Sequence, residues 1–598
     1  MKKIIVLLFV LGYLEGFTQE TSNEYEEAIE NHGYPQWFKE AKLGIFIHWG
    51  LYSVPAYGGK ESYAEWFLKG LQDQDSLRTN FVRKHYGPNF TYKDFANEFK
   101  AELFNPYEWA DIFKESGAKY VVLVSKHHDG YALWPSKFNR NWNSVDTGPK
   151  RDIVGELTTA VREKDLKMGL YYSLAEWNHP LHRWYTDPHD SIGDYVEQYM
   201  VPQFKELITE YKPSLIFADG EWYNTAKQWR AAELINWYYK TVGEEAIVND
   251  RWGHGLDVGF LTPEYSSGIL ETKRPWAEVR GIGRSFGLNR NEDLEAYGTG
   301  KELIQRFAQT VANGGGMILN VGPRADGQIP MIQQKRLKEL GTWLKVNGEA
   351  IYGAQAYGKT GEEKETSIER IDSNINFNWV RNSPVKGIRE DDFTITWQGY
   401  IVAPKTGNYT FEIEVDDEAM IEIGGNVIIN SNYTAPDNEA EVMGSNTGMT
   451  DKGTMRLKAG EALPIRINYR EKKQNAKIKL YWKYGDFKQI VPANAFYLDI
   501  DKKEKGLKGI YTSQTTYLSY TQNNNSLYAI SYEWPDEQLI LDVEKPAGDI
   551  RITLLGLDRE LPWQYENNKL IINTSNIKYG ELPGHDAWTF KIQTIKQE

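Results

Sequence analysis

Between about residues 35 and 355, short apolar runs alternate with helical patterns, and this alternation restricts the fold more than any other feature of the chain. The runs are Leu43–Ile47, Tyr120–Val124, Met168–Tyr172, Leu215–Phe217, Ala246–Val248 and Met317–Leu319. Amphipathic stretches such as Ile153–Lys164 and Val201–Glu210 lie between them. Apolar strands joined by helices imply βαβ units and a parallel sheet. About eight such units over roughly 300 residues fit a (β/α)8-type barrel. The competitor is an open doubly wound sheet. It usually carries a glycine-rich phosphate loop after its first strand, and none follows Leu43–Ile47.

After about residue 360 the period changes to two, as in Phe393-Thr-Ile-Thr-Trp397, Tyr409-Thr-Phe-Glu-Ile413 and Ile478-Lys-Leu-Tyr-Trp482. Pro404-Lys-Thr-Gly407 and Gly424-Gly-Asn426 supply turns. The lysine-rich Asp501–Lys508 reads as a linker, and a last β segment follows it. With 598 residues, the chain is too long for one core, and two to four domains are expected. The fold class is therefore α/β plus all-β.

Charge and composition exclude several function classes. The formal net charge is −14, no basic block appears, and nucleic acid is not an expected partner. Cysteine is absent, which removes disulfides and thiol catalysis. Met1-Lys2-Lys3 followed by Ile4–Leu11 reads as a signal peptide, too short to span a bilayer. The expectation is an exported bacterial protein, periplasmic or extracellular, with no membrane span. Aromatic residues reach 14%, including 20 Trp and 38 Tyr, which suits either sugar stacking or a β-rich chain.

The apolar runs end on polar residues. Gly44-Ile-Phe-Ile-His48-Trp49 is the first, and Glu65-Trp66 follows on a loop. Later ends carry His127-His128-Asp129-Gly130 with Trp134, then Tyr171-Tyr172-Ser173. Ser214-Leu-Ile-Phe-Ala-Asp219-Gly-Glu-Trp222 and Asn249-Asp-Arg251 complete the series. Asp219 could equally cap a helix or open a turn. The His-His pair could be packing. What favours chemistry is recurrence at one end of successive strands, where a barrel keeps its functional face. Zinc held by His48, His127 and His128 is a rival, but helical His-x-x-x-His spacing is absent and no metal or cofactor is expected. No Gly-x-Ser-x-Gly elbow appears. Glycoside hydrolysis needs two carboxyl groups, and Asp219 with a downstream Glu264, Glu271 or Glu278 supplies them.

These motifs are similar to those of the α-L-fucosidases of glycoside hydrolase family 29. The matching stretches are Leu43-Gly-Ile-Phe-Ile-His-Trp-Gly50, Glu65-Trp66, Lys126-His-His-Asp-Gly130, Lys150-Arg-Asp152, Tyr171-Tyr-Ser173, Asp219-Gly-Glu-Trp222, Asn249-Asp-Arg251 and Asn320-Val-Gly-Pro323. The resemblance implies a retaining exo-α-L-fucosidase acting on a fucosylated oligosaccharide or polysaccharide. It assigns the nucleophile to Asp219 and the acid/base to Glu264, with Glu271 and Glu278 as alternatives. It places His48, Glu65, Trp66, His127, His128 and Tyr171 on the sugar, with Trp134 and Arg251 lining or supporting the pocket. The chain departs from the family pattern at Trp276-Ala277 and at Ser285-Phe-Gly287.

Residues 363–498 resemble an inserted PA14-like β domain, where Asp416-Asp417 is either a turn-forming pair or a calcium site. The implied division is a signal peptide over 1–18, a (β/α)8-like catalytic domain over 19–358, the PA14-like domain over 363–498 and a C-terminal β-sandwich over 508–598. Two other functions fit the residues: a secreted glycan-binding protein with an impaired barrel, and a glycosidase for a related sugar such as galactose. Oligomeric state is not legible.

Overall fold

The computed structural model describes residues 24–60, 62–182, 192–265, 273–380, 382–432, 449–472, 475–501, 503–546 and 548–595. The expected signal peptide and Glu271 lie outside the described residues. The chain divides into two units, Met1–Gly361 with Leu518–Glu598, and Glu362–Tyr517.

The first unit is built on seven parallel strands: β1 (Leu43–Ile47), β2 (Tyr120–Lys126), β3 (Lys167–Ser173), β4 (Leu215–Asp219), β5 (Ile247–Val248), β6 (Ala277–Gly281) and β7 (Gly316–Val321). Their order is β5-β4-β3-β2-β1-β7-β6. The gap between β5 and β6 is bridged by residues 260–265. Phe260 N–H donates to Val248 O at 3.1 Å on one side; on the other, Tyr265 N–H donates to Val279 O at 3.1 Å and Val279 N–H to Pro263 O at 2.9 Å. The ring thus has eight members.

Two of them escape the apolar-run pattern for physical reasons. Strand β6 carries Glu278 and Arg280, whose charges are compensated on the outer face. In the bridging segment Pro263 lacks an N–H, which leaves isolated pairs rather than a regular ladder. The barrel interior holds Phe46, Val122, Tyr171, Phe217, Phe260, Val279 and Ile318. Gly44 is obligatory on β1, because a Cβ there would lie 2.2 Å from the Tyr120 ring.

Helices cover the outside. The helix Ile153–Glu163 starts at Asp152, whose Oδ1 accepts the Gly155 N–H at 2.9 Å. Arg151 Nε donates to Glu156 at 3.1 Å. The Lys150-Arg-Asp152 motif is therefore a helix start. In the same unit, Ser526–Ser531 pairs with residues 518–523 and with Trp588–Thr594, which also pairs with Ile550–Leu554. This β layer docks on the barrel through Trp343 Nε1–H to Ala587 O at 3.0 Å and Thr521 Oγ1–H to Ala350 O at 2.7 Å.

The second unit is all-β. Phe393–Val402 pairs antiparallel with Ala462–Glu471, and Gly407–Val415 lies between Met449–Leu457 and Ala476–Tyr484. Alternate residues, among them Trp397, Phe411, Ile413, Ile467 and Leu480, form its core. Asp416 and Asp417 are both buried. Asp417 sits at φ 64°, the left-handed conformation of a turn residue, and its side chain accepts the Lys472 N–H from a distant segment at 2.7 Å.

Candidate active site

Strand β5 is only two residues long, so a side chain extends it. Asn249 Oδ1 accepts the Ala218 N–H at 2.8 Å, and its Nδ2 donates to Ala218 O at 2.9 Å. That amide holds the last turn of β4 straight and presents Asp219. Gly220 then turns the chain at φ 85°, where a Cβ would come within 3.2 Å of both Ser173 Oγ and His128 Nδ1.

Asp219 is 8% exposed and has donors on both oxygens. Tyr171 O–H donates to Oδ2 at 2.7 Å, and His128 Nε2 lies 3.3 Å from the same atom. Arg251 Nη1 donates to Oδ1 at 3.2 Å. Burial pushes the carboxyl up, but the His128 hydrogen bond, the Arg251 charge and the Tyr171 hydroxyl outweigh it and hold Asp219 well below the usual carboxylate range. An ionised, desolvated carboxylate at the C-terminal end of a barrel strand is poised as a nucleophile.

Glu264 stands across the guanidinium. Arg251 Nη2 donates to its Oε1 at 2.7 Å, and Tyr63 O–H to its Oε2 at 3.1 Å. Arg251 is itself fixed by Thr262, with Nε to Oγ1 and Nη2 to the carbonyl both at 3.1 Å. One planar cation therefore touches both carboxyl groups.

Three histidines and Glu65 line the same end. His48 Nδ1 lies 2.6 Å from Asn320 Oδ1, and burial lowers the ring to about 4. His127 is buried beside Tyr171 with rings stacked at 5.7 Å, and burial holds it well below an ordinary histidine. Ser173 spends its hydroxyl hydrogen on Ala175 O at 2.5 Å, so it accepts from His128 Nδ1–H, also at 2.5 Å. Glu65 Oε2 accepts the Gly287 N–H at 2.8 Å and the Ser285 hydroxyl at 3.1 Å, and burial pushes it up to about 7. Trp66 packs against Trp177 and Trp222, with ring centroids 5.0 and 5.7 Å apart.

Asp219, Glu264, His48, Glu65, Trp66, His127, His128, Tyr171 and Arg251 are thus gathered at one barrel mouth. Trp134 is not. The chain after β2 folds back, with Leu133 N–H to Ser125 O at 2.8 Å, and Trp134 Nε1–H donates to Glu206 at 3.2 Å on the helix Val201–Tyr211. It packs in the wall.

Glu278 faces outward. It is fully buried and accepts from Arg280 and Arg306, both at 3.2 Å, and from Thr310 at 3.0 Å. Removing it would take a buried anion away from two guanidinium groups. Glu278→Ala is expected to lower unfolding stability by about 3 kcal/mol while kcat of the folded protein stays within a few-fold. Denaturant unfolding beside initial rates checks this, and a collapse of kcat in folded protein would return Glu278 to the chemistry.

Several residues of the mouth are not evident from motif spacing. Tyr52, Tyr63, Trp177 and Phe286 arrive from four separate segments. Tyr52 lies 5.3 Å from His127, and Phe286 stacks on His48 at 5.0 Å. Glu221, two residues past Asp219, is pushed up to about 8 by burial and by the Asp219 charge. Glu221 and Trp222 lie in the Asp219-Gly-Glu-Trp222 motif and Phe286 in Ser285-Phe-Gly287, and Trp222 stands out as an aromatic following the strand-end aspartate. Its ring lies 4.9 Å from His128.

Comparison with known proteins agrees with the geometry. The Alpha-L-fucosidase family profile matches residues 14–349, a PA14 domain matches 350–494 and the Alpha-L-fucosidase C-terminal domain matches 512–593. The chain is 38% identical over 371 residues to an alpha-L-fucosidase of Branchiostoma floridae, covering 60% of this chain and 82% of that one. It is 39% identical over 378 residues to human tissue alpha-L-fucosidase, covering 61% and 80%. A Thermotoga maritima alpha-fucosidase in complex with a mechanism-based inhibitor superposes with a TM-score of 0.62 at 27% identity, over 95% of this chain and 98% of the other. By fold, by the residues at the barrel mouth and by these matches, the chain belongs to the alpha-L-fucosidase family.

Proposed function

We propose that this α-L-fucosidase, a glycoside hydrolase, works by retention, with Asp219 as nucleophile and Glu264 as acid/base. The observation that carries the assignment is the Arg251 fork, which bonds Asp219 Oδ1 at 3.2 Å and Glu264 Oε1 at 2.7 Å. A shared guanidinium favours the short carboxyl separation of retaining glycosidases, about 5–5.5 Å, over the wider inverting one.

In the first step an Asp219 oxygen bonds to C1 as the C1–O bond to the leaving group breaks. Glu264 gives its proton to that leaving oxygen. In the second step Glu264 takes a proton from water, the water oxygen bonds to C1, and Asp219 leaves as carboxylate. Negative charge thus passes from Asp219 to Glu264 and back. Arg251 touches both, so its cation stabilises whichever carboxylate is ionised.

His48, Glu65, Trp66, His127, His128 and Tyr171 would hold the sugar. The apolar floor of Phe46, Phe217, Phe260 and Phe286 suits a C6 methyl better than the hydroxymethyl of a galactoside. The test is the first product released from an aryl α-L-fucoside, followed by NMR. α-L-Fucose should appear first and then mutarotate. β-L-Fucose appearing first would sink the double displacement. Export rests on the sequence start alone, and N-terminal sequencing of secreted protein would test cleavage near residue 18.

A further inference from the structure

Asn320 lies on β7 beside Phe46, and the neighbouring Val321 carbonyl accepts the His48 N–H at 3.1 Å. Asn320 is 1% exposed, and the orientation of its amide is fixed by its partners. On one side stands Phe286 O, which can only accept, at 2.6 Å from Nδ2. The amide oxygen therefore faces His48 Nδ1 at 2.6 Å. That oxygen can only accept, so His48 Nδ1 carries the hydrogen. A neutral imidazole protonated at Nδ1 has a bare lone pair at Nε2. Nε2 lies on the other edge of the ring from Asn320; the His127 and Tyr171 rings lie 5.9 and 5.8 Å from the His48 ring, centroid to centroid.

We propose that Asn320 is a positioning residue that makes His48 a hydrogen-bond acceptor, so that the sugar hydroxyl meeting it must donate. This rests on the reading that the sugar binds against His48. Fluorine in place of that hydroxyl fills similar space and can accept, but it cannot donate.

An aspartate at 320 would reverse the polarity. Its carboxylate beside Nδ1 favours a doubly protonated ring, which puts a hydrogen on Nε2. The other titratable groups near His48 are Asp219, which favours the protonated ring, His128 and Arg251, which oppose it, and His127 and Tyr171, whose rings lie 5.9 and 5.8 Å away. The wild-type balance is a neutral ring.

The test compares wild type, Asn320→Asp, Asn320→Leu and His48→Ala on an aryl α-L-fucoside and on its 2-, 3- and 4-deoxyfluoro analogues. Inductive effects of fluorine cancel when the analogue-to-parent ratio of kcat/KM is compared between enzymes. In wild type, one position should lose roughly 10- to 100-fold beyond the others. In Asn320→Asp that penalty should shrink at least several-fold, and the acid limb of kcat/KM should move upward by about one pH unit or more. Asn320→Leu should shrink the penalty without moving the acid limb upward. If Asn320→Leu does not fold, the smaller Asn320→Ala takes its place. A fluoro profile identical to wild type in Asn320→Leu, or in Asn320→Ala, would overturn the role of Asn320. A wild-type profile retained in His48→Ala would instead overturn the contact between His48 and the sugar.

Discussion

Asp219→Ala is expected to lower kcat/KM on an aryl α-L-fucoside by about 10⁴-fold or more, since deletion of a nucleophile removes the covalent path itself. The protein should stay folded. Asp219 is one buried anion facing three cationic or donating partners, Arg251, His128 and Tyr171, and Arg251 keeps its bond to Glu264. The cavity left by the carboxylate opens at the barrel mouth, on the face opposite the leaving group. Azide entering there should attack C1 directly and give β-fucosyl azide from a substrate whose leaving group departs without protonation. Rescue with that stereochemistry assigns the nucleophile. Unchanged turnover in Asp219→Ala, or α-azide from it, would remove Asp219 from that role.

How far this site was legible follows from where each residue gets its meaning. Asp219, His48, Tyr171 and Arg251 sit at or just past strand ends. There, an apolar run gives way to a polar residue, and the change is visible along the chain. Glu264 is singled out among the downstream glutamates by the family resemblance alone, and its strand is not legible, because Pro263 breaks the apolar pattern. Tyr63 and Phe286 carry no such mark. Tyr63 matters through one hydroxyl 3.1 Å from Glu264, and Phe286 through stacking on His48. Both contacts join segments some two hundred residues apart. Trp134 shows the converse. It follows the His-His strand end closely, but the fold-back after β2 turns its indole to Glu206. Glu278 looked like a free carboxylate in sequence, because Arg306 and Thr310 reach it only through the helix Gly300–Ala312.

Glu264→Ala should separate the two steps that Asp219→Ala merges. Protonating the leaving oxygen is worth about 10²- to 10⁴-fold, and it matters most where the leaving group is a sugar alkoxide. On a fucosylated oligosaccharide, kcat/KM should fall by about 10³-fold or more. On a dinitrophenyl α-L-fucoside the first step needs no acid and kcat/KM should stay within about tenfold. Hydrolysis of the glycosyl-enzyme then limits turnover, because no base activates water, so a burst of phenol should precede a slow steady state. Azide needs no base and should restore turnover as α-fucosyl azide, the product of a second inversion at C1. The Arg251 fork adds a condition. With Glu264 gone, Nη2 keeps the Thr262 carbonyl and the guanidinium charge bears more fully on Asp219, which steadies the anion and weakens it as a nucleophile. Glu264→Gln keeps a hydrogen-bonding partner for Arg251 and should show the same dependence on leaving group. An equal loss on both substrates in Glu264→Gln would mean that Glu264 acts only by holding Arg251, and that the proton comes from elsewhere.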